Sequence, residues 1–175
     1  MKRGYFNTIM FISILLNVIL IVFFVSQYSN VFGSKDKIST YYNSFYESVS
    51  TLDRTFDQID DTKEDMQIIE DMYESNIRLN IVYDRLVYLE DNIGKYSKLD
   101  LPDIKNKLGL LKFNYYSFML DQIMDNNKAG SEEFKEYRKE IKDFLENLPE
   151  EYSGSKPFVQ KFNDAVKSLD IIHPF

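Results

Sequence analysis

His173 is the only histidine in the chain, cysteine is absent, and 28 acidic residues face 21 basic ones. A Ser-His-Asp relay or a histidine-bound metal would have to use His173, which sits close to the C-terminus, a poor place to hold catalytic geometry. Without cysteine there is no thiolate nucleophile, no thiolate zinc site and no disulfide. Carboxylates remain. Asp57, Asp60, Asp61, Glu64 and Asp65 could offer oxygens to calcium, but the EF-hand spacing with its central glycine is missing. Acids at a helix N-terminus are favoured by the dipole and by capping, which explains the cluster without an ion. No Asp/Glu pair stands out at the spacing of a glycoside hydrolase. The expectation is a protein that is not an enzyme, with no catalytic residue, no metal and no cofactor.

Other polar residues stand out by position. Asn76 and Asn80 lie one helical turn apart within an otherwise apolar stripe. They would either line a small-ligand pocket or fix helix register, as a core asparagine does in coiled coils. Arg78 and Arg85, seven apart, suggest a carboxylate-binding pair, although Glu74 stands four residues before Arg78 as a local partner. Ser13 and Asn17, four apart in an apolar run, would share a face and hydrogen-bond another helix inside a membrane.

Elements must position these groups. Residues 8–25, TIMFISILLNVILIVFFV, carry no charge. Eighteen helical residues reach about 27 Å, close to the roughly 30 Å of a bilayer's hydrocarbon. Lys2 and Arg3 precede the run and the next basic residues are Lys35 and Lys37, so the positive-inside rule keeps the N-terminus cytoplasmic. The organisation expected is a cytoplasmic stub (1–7), a transmembrane helix (8–25), a juxtamembrane linker (26–35) broken at Gly33-Ser34, and an extracytoplasmic helical body (36–175). Cleavage as a signal peptide, giving a secreted protein, is the competing reading. From position 36 onward 18 basic residues face 28 acids. Such a body has little attraction for nucleic acid or anionic lipid. Two alanines among abundant Asn, Lys, Ile, Tyr and Phe fit an AT-rich bacterial genome.

The body reads as helices throughout. Ile38, Tyr42, Phe45, Val49, Leu52, Phe56 and Ile59 alternate spacings of four and three, the seam of a helix and not of a strand. A second helix, opened by Asp61 or Thr62, carries Met66, Ile69, Met72, Tyr73, Ile77, Leu79, Tyr83, Leu86 and Val87 to about Asn92. A third, opened at Asp100–Asp103, carries Leu101, Ile104, Leu108, Leu111, Tyr115 and Phe118. A fourth, capped by Ser131, carries Phe134, Tyr137, Ile141, Phe144 and Leu148, and a fifth starts at Pro157 with Phe158, Phe162, Ala165, Leu169 and Ile172. The fold class expected is all-α: one N-terminal transmembrane helix plus an antiparallel up-down helical bundle of four layers. The fourth layer is broken into two short helices between Pro149 and Pro157, with a hairpin of those two helices as the alternative.

The third helix has a second apolar row, Phe113, Tyr116, Leu120 and Ile123. Helices apolar nearly all round are normally central, so burial of both rows is favoured, with a partner surface as the alternative. The function expected is a membrane-anchored, non-enzymatic binding or scaffolding module for another envelope or membrane protein. Its partner is a protein, self-association included. A small-ligand sensory module that modulates a membrane partner is the runner-up.

Overall fold

In the computed structural model the described residues are 2–59, 62–93, 98–125 and 132–169, with side chains described for 16–23, 37–59, 62–93, 98–124 and 134–169. Among them are five helices and no strand: α1 Lys2–Asp57, α2 Asp65–Ile93, α3 Leu101–Asp125, α4 Glu132–Asn147 and α5 Lys156–Ser168. The chain divides into two units, Met1–Lys37 and Ile38–Phe175.

In the first unit, residues 26–35 are helical and belong to α1, without the backbone break expected at Gly33-Ser34. One glycine costs a helix about 1 kcal/mol, and the whole of α1 lacks the proline that would end it. Among the described residues no helix is long and apolar enough to cross a membrane. Of the run 8–25, the described side chains cover Leu16–Phe23 alone, all of them exposed.

The second unit closes on a core to which all five helices contribute. The seam of α1 is buried from Tyr42 to Phe56, with Ile59 buried just past its end, and those of α3 and α4 are buried as their three-four spacing requires. In α2 the buried stripe is Ile68, Met72, Ser75, Asn76, Leu79, Val82, Leu86, Leu89 and Ile93. Met66, Tyr73 and Ile77, expected in the core, are exposed. The helix also starts at Asp65, later than a cap at Asp61 or Thr62 would give; Asp61 and Ser131 lie outside the described residues.

Cross-helix contacts fix the directions. Ser75 meets Tyr115 and Glu90 meets Lys105, so α2 and α3 are antiparallel. Phe56 packs on Phe134, whereas the Tyr42 hydroxyl donates to the Pro149 carbonyl, so α4 descends along α1. Helix α5 is not a continuation of that layer. It lies against α4, with Lys161 beside Leu145 and Leu148. The expected broken fourth layer is thereby corrected to a hairpin. Three hydrogen bonds hold it in place: Asn163 accepts from the Asp100 N–H (2.8 Å) and donates to the Lys98 carbonyl (3.1 Å), and Lys107 Nζ donates to the Val166 carbonyl (2.8 Å). These tie α5 to the first turns of α3 and satisfy a carbonyl at its own C-terminal end. At its start the Ser155 hydroxyl accepts from the Phe158 N–H, and Gly154 just before it sits at φ 62°, where a side chain would be strained.

Aromatic rings fill both ends of the bundle. Tyr42, Tyr152, Phe158 and Phe162 cluster at the end where α1 enters, with Tyr42 and Phe158 edge to face at 5.0 Å. At the other end Phe56, Tyr115, Phe118, Phe134 and Tyr137 pack together, Phe56 on Tyr115 at 5.2 Å. Aliphatic side chains such as Val49, Leu52, Leu79, Leu86 and Leu108 lie between these groups.

Candidate functional site

Four contacts between α2 and α3 set the register of the surface that the two helices share. Ser75 Oγ lies 2.8 Å from Tyr115 Oη. The Tyr83 ring edge stands 3.6 Å from where a Cβ would lie if Gly109 had one, and Lys112 Nζ stands 4.6 Å above the centre of the same ring. Lys105 Nζ pairs with Glu90 Oε2 at 2.6 Å. The inner faces of both helices are thereby committed, and their outer faces come to matching heights: Ile77 with Phe113 and Tyr116, Tyr73 with Leu120, and Met66 with Met124.

That outer face is apolar and open to solvent. Phe113 is 67% exposed, Tyr73 58% and Met124 80%, and Leu110, Tyr116, Leu120 and Ile77 are exposed as well. The second row of α3 is therefore not buried as the sequence favoured. Only Ile123 of that row packs partly against the core. The physical reason lies in the bundle itself, because α2 and the hairpin α4–α5 leave α3 on its rim. Scattered exposed apolar residues are ordinary, but aromatic and methionine side chains gathered on two adjacent helices are the composition of an interface.

The two asparagines of α2 border this face. Asn80 Nδ2 donates to the Asn76 carbonyl at 2.7 Å, so its amide is spent on its own helix. Asn76 is 9% exposed, and its Oδ1 is buried without a hydrogen-bond partner among the described residues. The asparagines are thus not paired amide to amide. Sequence reasoning missed Ser75 and Asn114, buried polar residues of α2 and α3. Ser75 could have been found as a small polar residue at heptad spacing from Ile68 and Val82.

The remaining candidates lie elsewhere. Arg78 pairs with Glu74 at 2.6 Å, and Arg85 is exposed. Asp57 pairs with Arg138 at 2.6 Å; Asp60 and His173 lie outside the described residues. Among the described residues no group of three or more His, Cys, Asp or Glu is placed to hold a metal ion. The Ser13 side chain lies outside the described set, and Asn17 falls in the exposed stretch Leu16–Phe23. A cleft of about 570 Å³ opens at the Tyr42 end, lined by Leu99, Tyr152, Phe158 and Val159 with Lys98 and Lys156 among its polar residues. Among the described residues its lining has no carboxylate, and it is remote from Asn76 and Asn80. Comparison with known proteins finds no matching family model, curated protein or solved structure.

Proposed function

We propose that this chain is a single-span membrane protein. Its acidic helical body acts outside the cytoplasm as a non-enzymatic binding or scaffolding module for another envelope or membrane protein. The observation that carries the binding role is the apolar face of α2 and α3, with Tyr73, Ile77, Phe113, Tyr116 and Leu120 all exposed. Its tyrosines and phenylalanine bring large, stiff contact area, the kind that dominates interface energetics.

The anchor has its own support. In Leu16–Phe23 seven large apolar side chains are 47–62% exposed. Eight consecutive helical residues point to every side of the helix, so no single packed neighbour could cover them. Hydrocarbon covers all sides at once. Lys2 and Arg3 place the positive flank on the cytoplasmic side.

Two measurements test the reading on the full chain. Protease added to spheroplasts is expected to degrade the body, and protection of the body would overturn the orientation. Tyr116→Glu is expected to leave the melting temperature within about 2 °C, as exposed substitutions do, while removing whatever protein cross-links to the chain in membranes. If cross-linked species are unchanged in that variant, the face is not the binding surface.

A further inference from the structure

The geometry points to a second copy of this chain as an occupant of the α2–α3 face, the two copies related by a two-fold axis parallel to the helices. This rests on the binding role proposed above and names the partner. The half of the face away from the apolar patch carries the charges that set this orientation. On α2, Asp84 and Asp91 are seven residues apart on one side of the helix, both exposed. Neither makes a direct ion pair among the described residues, and Asp91 lies near enough to its own chain's Lys105 to hold that ammonium more firmly charged. On α3, Lys105 and Lys112 are likewise seven apart. The Lys105–Glu90 bridge puts Lys105 at the height of Asp91, and the placement of Lys112 over Tyr83 puts it at the height of Asp84. The face thus carries an acidic rim on one helix and a basic rim on the other, at the same two heights, beneath a shared apolar patch.

A two-fold axis along the groove preserves every height and lays each α2 antiparallel on the other chain's α3. Asp84 then faces the partner's Lys112, and Asp91 faces the partner's Lys105. Tyr73 and Ile77 meet the partner's Phe113, Tyr116 and Leu120. Each lysine has donors to spare: Lys105 keeps Glu90 while receiving a second carboxylate. An axis perpendicular to the helices would instead press the charged half onto the partner's apolar patch and strand carboxylates against hydrocarbon. The surface is self-complementary in one orientation only. Exposed ion pairs add little affinity, so the apolar patch supplies the adhesion and the charges select the orientation. Confinement to one membrane raises the effective concentration of the copies and lets a modest contact suffice.

The absence of cysteine makes the test clean. Two differently tagged full-length chains are co-expressed in membranes, one with Ile77→Cys and the other with Phe113→Cys, and oxidised to disulfides. A mixed-tag adduct is expected, at least tenfold above that of a Lys139→Cys pair on the exposed outer side of α4. Charge reversal then reads the orientation. Asp84→Lys added to both chains, or Lys112→Glu added to both, is expected to reduce the adduct severalfold, and one reversal on each chain is expected to restore it. Thermal melting of each variant confirms that the body is folded. An adduct no stronger than the Lys139 control, or one indifferent to both reversals, overturns the proposal. If the chain proves monomeric while Tyr116→Glu still removes a different membrane protein, the binding role stands and the second copy is rejected.

Discussion

The buried hydroxyl pair Ser75 and Tyr115 shows what single residues decide in this bundle. Ser75 Oγ lies 2.8 Å from the Asp71 carbonyl and 2.8 Å from Tyr115 Oη, so while the serine donates to its own helix the phenol donates to the serine. Burial holds the Tyr115 phenol well above the usual tyrosine range, and it remains a donor at every physiological pH. Tyr115→Phe is expected to cost about 1 kcal/mol in urea unfolding. Adding Ser75→Ala to it should cost less than Ser75→Ala alone, as a double-mutant cycle would read. Asp53 behaves oppositely. Its Oδ1 is buried without a hydrogen-bond partner, and its carboxyl titrates above the usual range. The causes are burial and then nearby Asp57, with Glu146 adding and Lys142 and Arg138 opposing. The folded body therefore holds this proton more tightly than the unfolded chain does. Asp53 works against stability at neutral pH, and that penalty is relieved as pH falls through the raised value. Asp53→Asn is expected to raise the melting temperature at pH 7, with the gain fading by about pH 4, where an unfolded aspartate also takes up its proton.

At the scale of elements, the sequence was most legible where apolar residues occupied a single stripe. The seams of α1, α3 and α4 were readable residue by residue, since a three-four alternation has no other structural meaning. It misled where a helix was apolar on two sides. In α2 the apolar types Met66, Tyr73 and Ile77 face solvent while Ser75 and Asn76 are buried, and residue type alone assigns them the other way round. The same ambiguity in α3 is resolved only by where its neighbours stand. Phe113→Ala is expected to leave thermal stability nearly unchanged, whereas Phe144→Ala, 1% exposed on α4, should lose about 3–5 kcal/mol. Pro149 and Pro157 announced a break between α4 and α5 but not its direction. That direction depends on Asn163 and Lys107 reaching partners some sixty positions away, a pairing that no local pattern encodes. The candidate face was legible as a list of residues on α3. Its α2 half was not, because the register that joins the halves is set by Ser75–Tyr115 and Glu90–Lys105.

For the body as a whole, α5 is expected to be indispensable despite its 13 residues. Phe158, Phe162, Ala165 and Val166 are all buried, and Tyr42 has most of its ring contacts on this helix and the segment before it. Ending the chain after Leu148 should abolish cooperative melting. The bond from Tyr42 to Pro149 joins positions 107 apart. A ribosome adding about 5–20 residues per second needs roughly 5–20 s to cover that distance. Throughout that interval Tyr42 and Phe45 have emerged without the rings and backbone that will enclose them. Helices α2 and α3 can meet meanwhile, since only the short connection between Ile93 and Leu101 separates them. The beginning of the body is thus among the last parts to be sealed, and a newborn chain carries that face of α1 uncovered until α5 arrives.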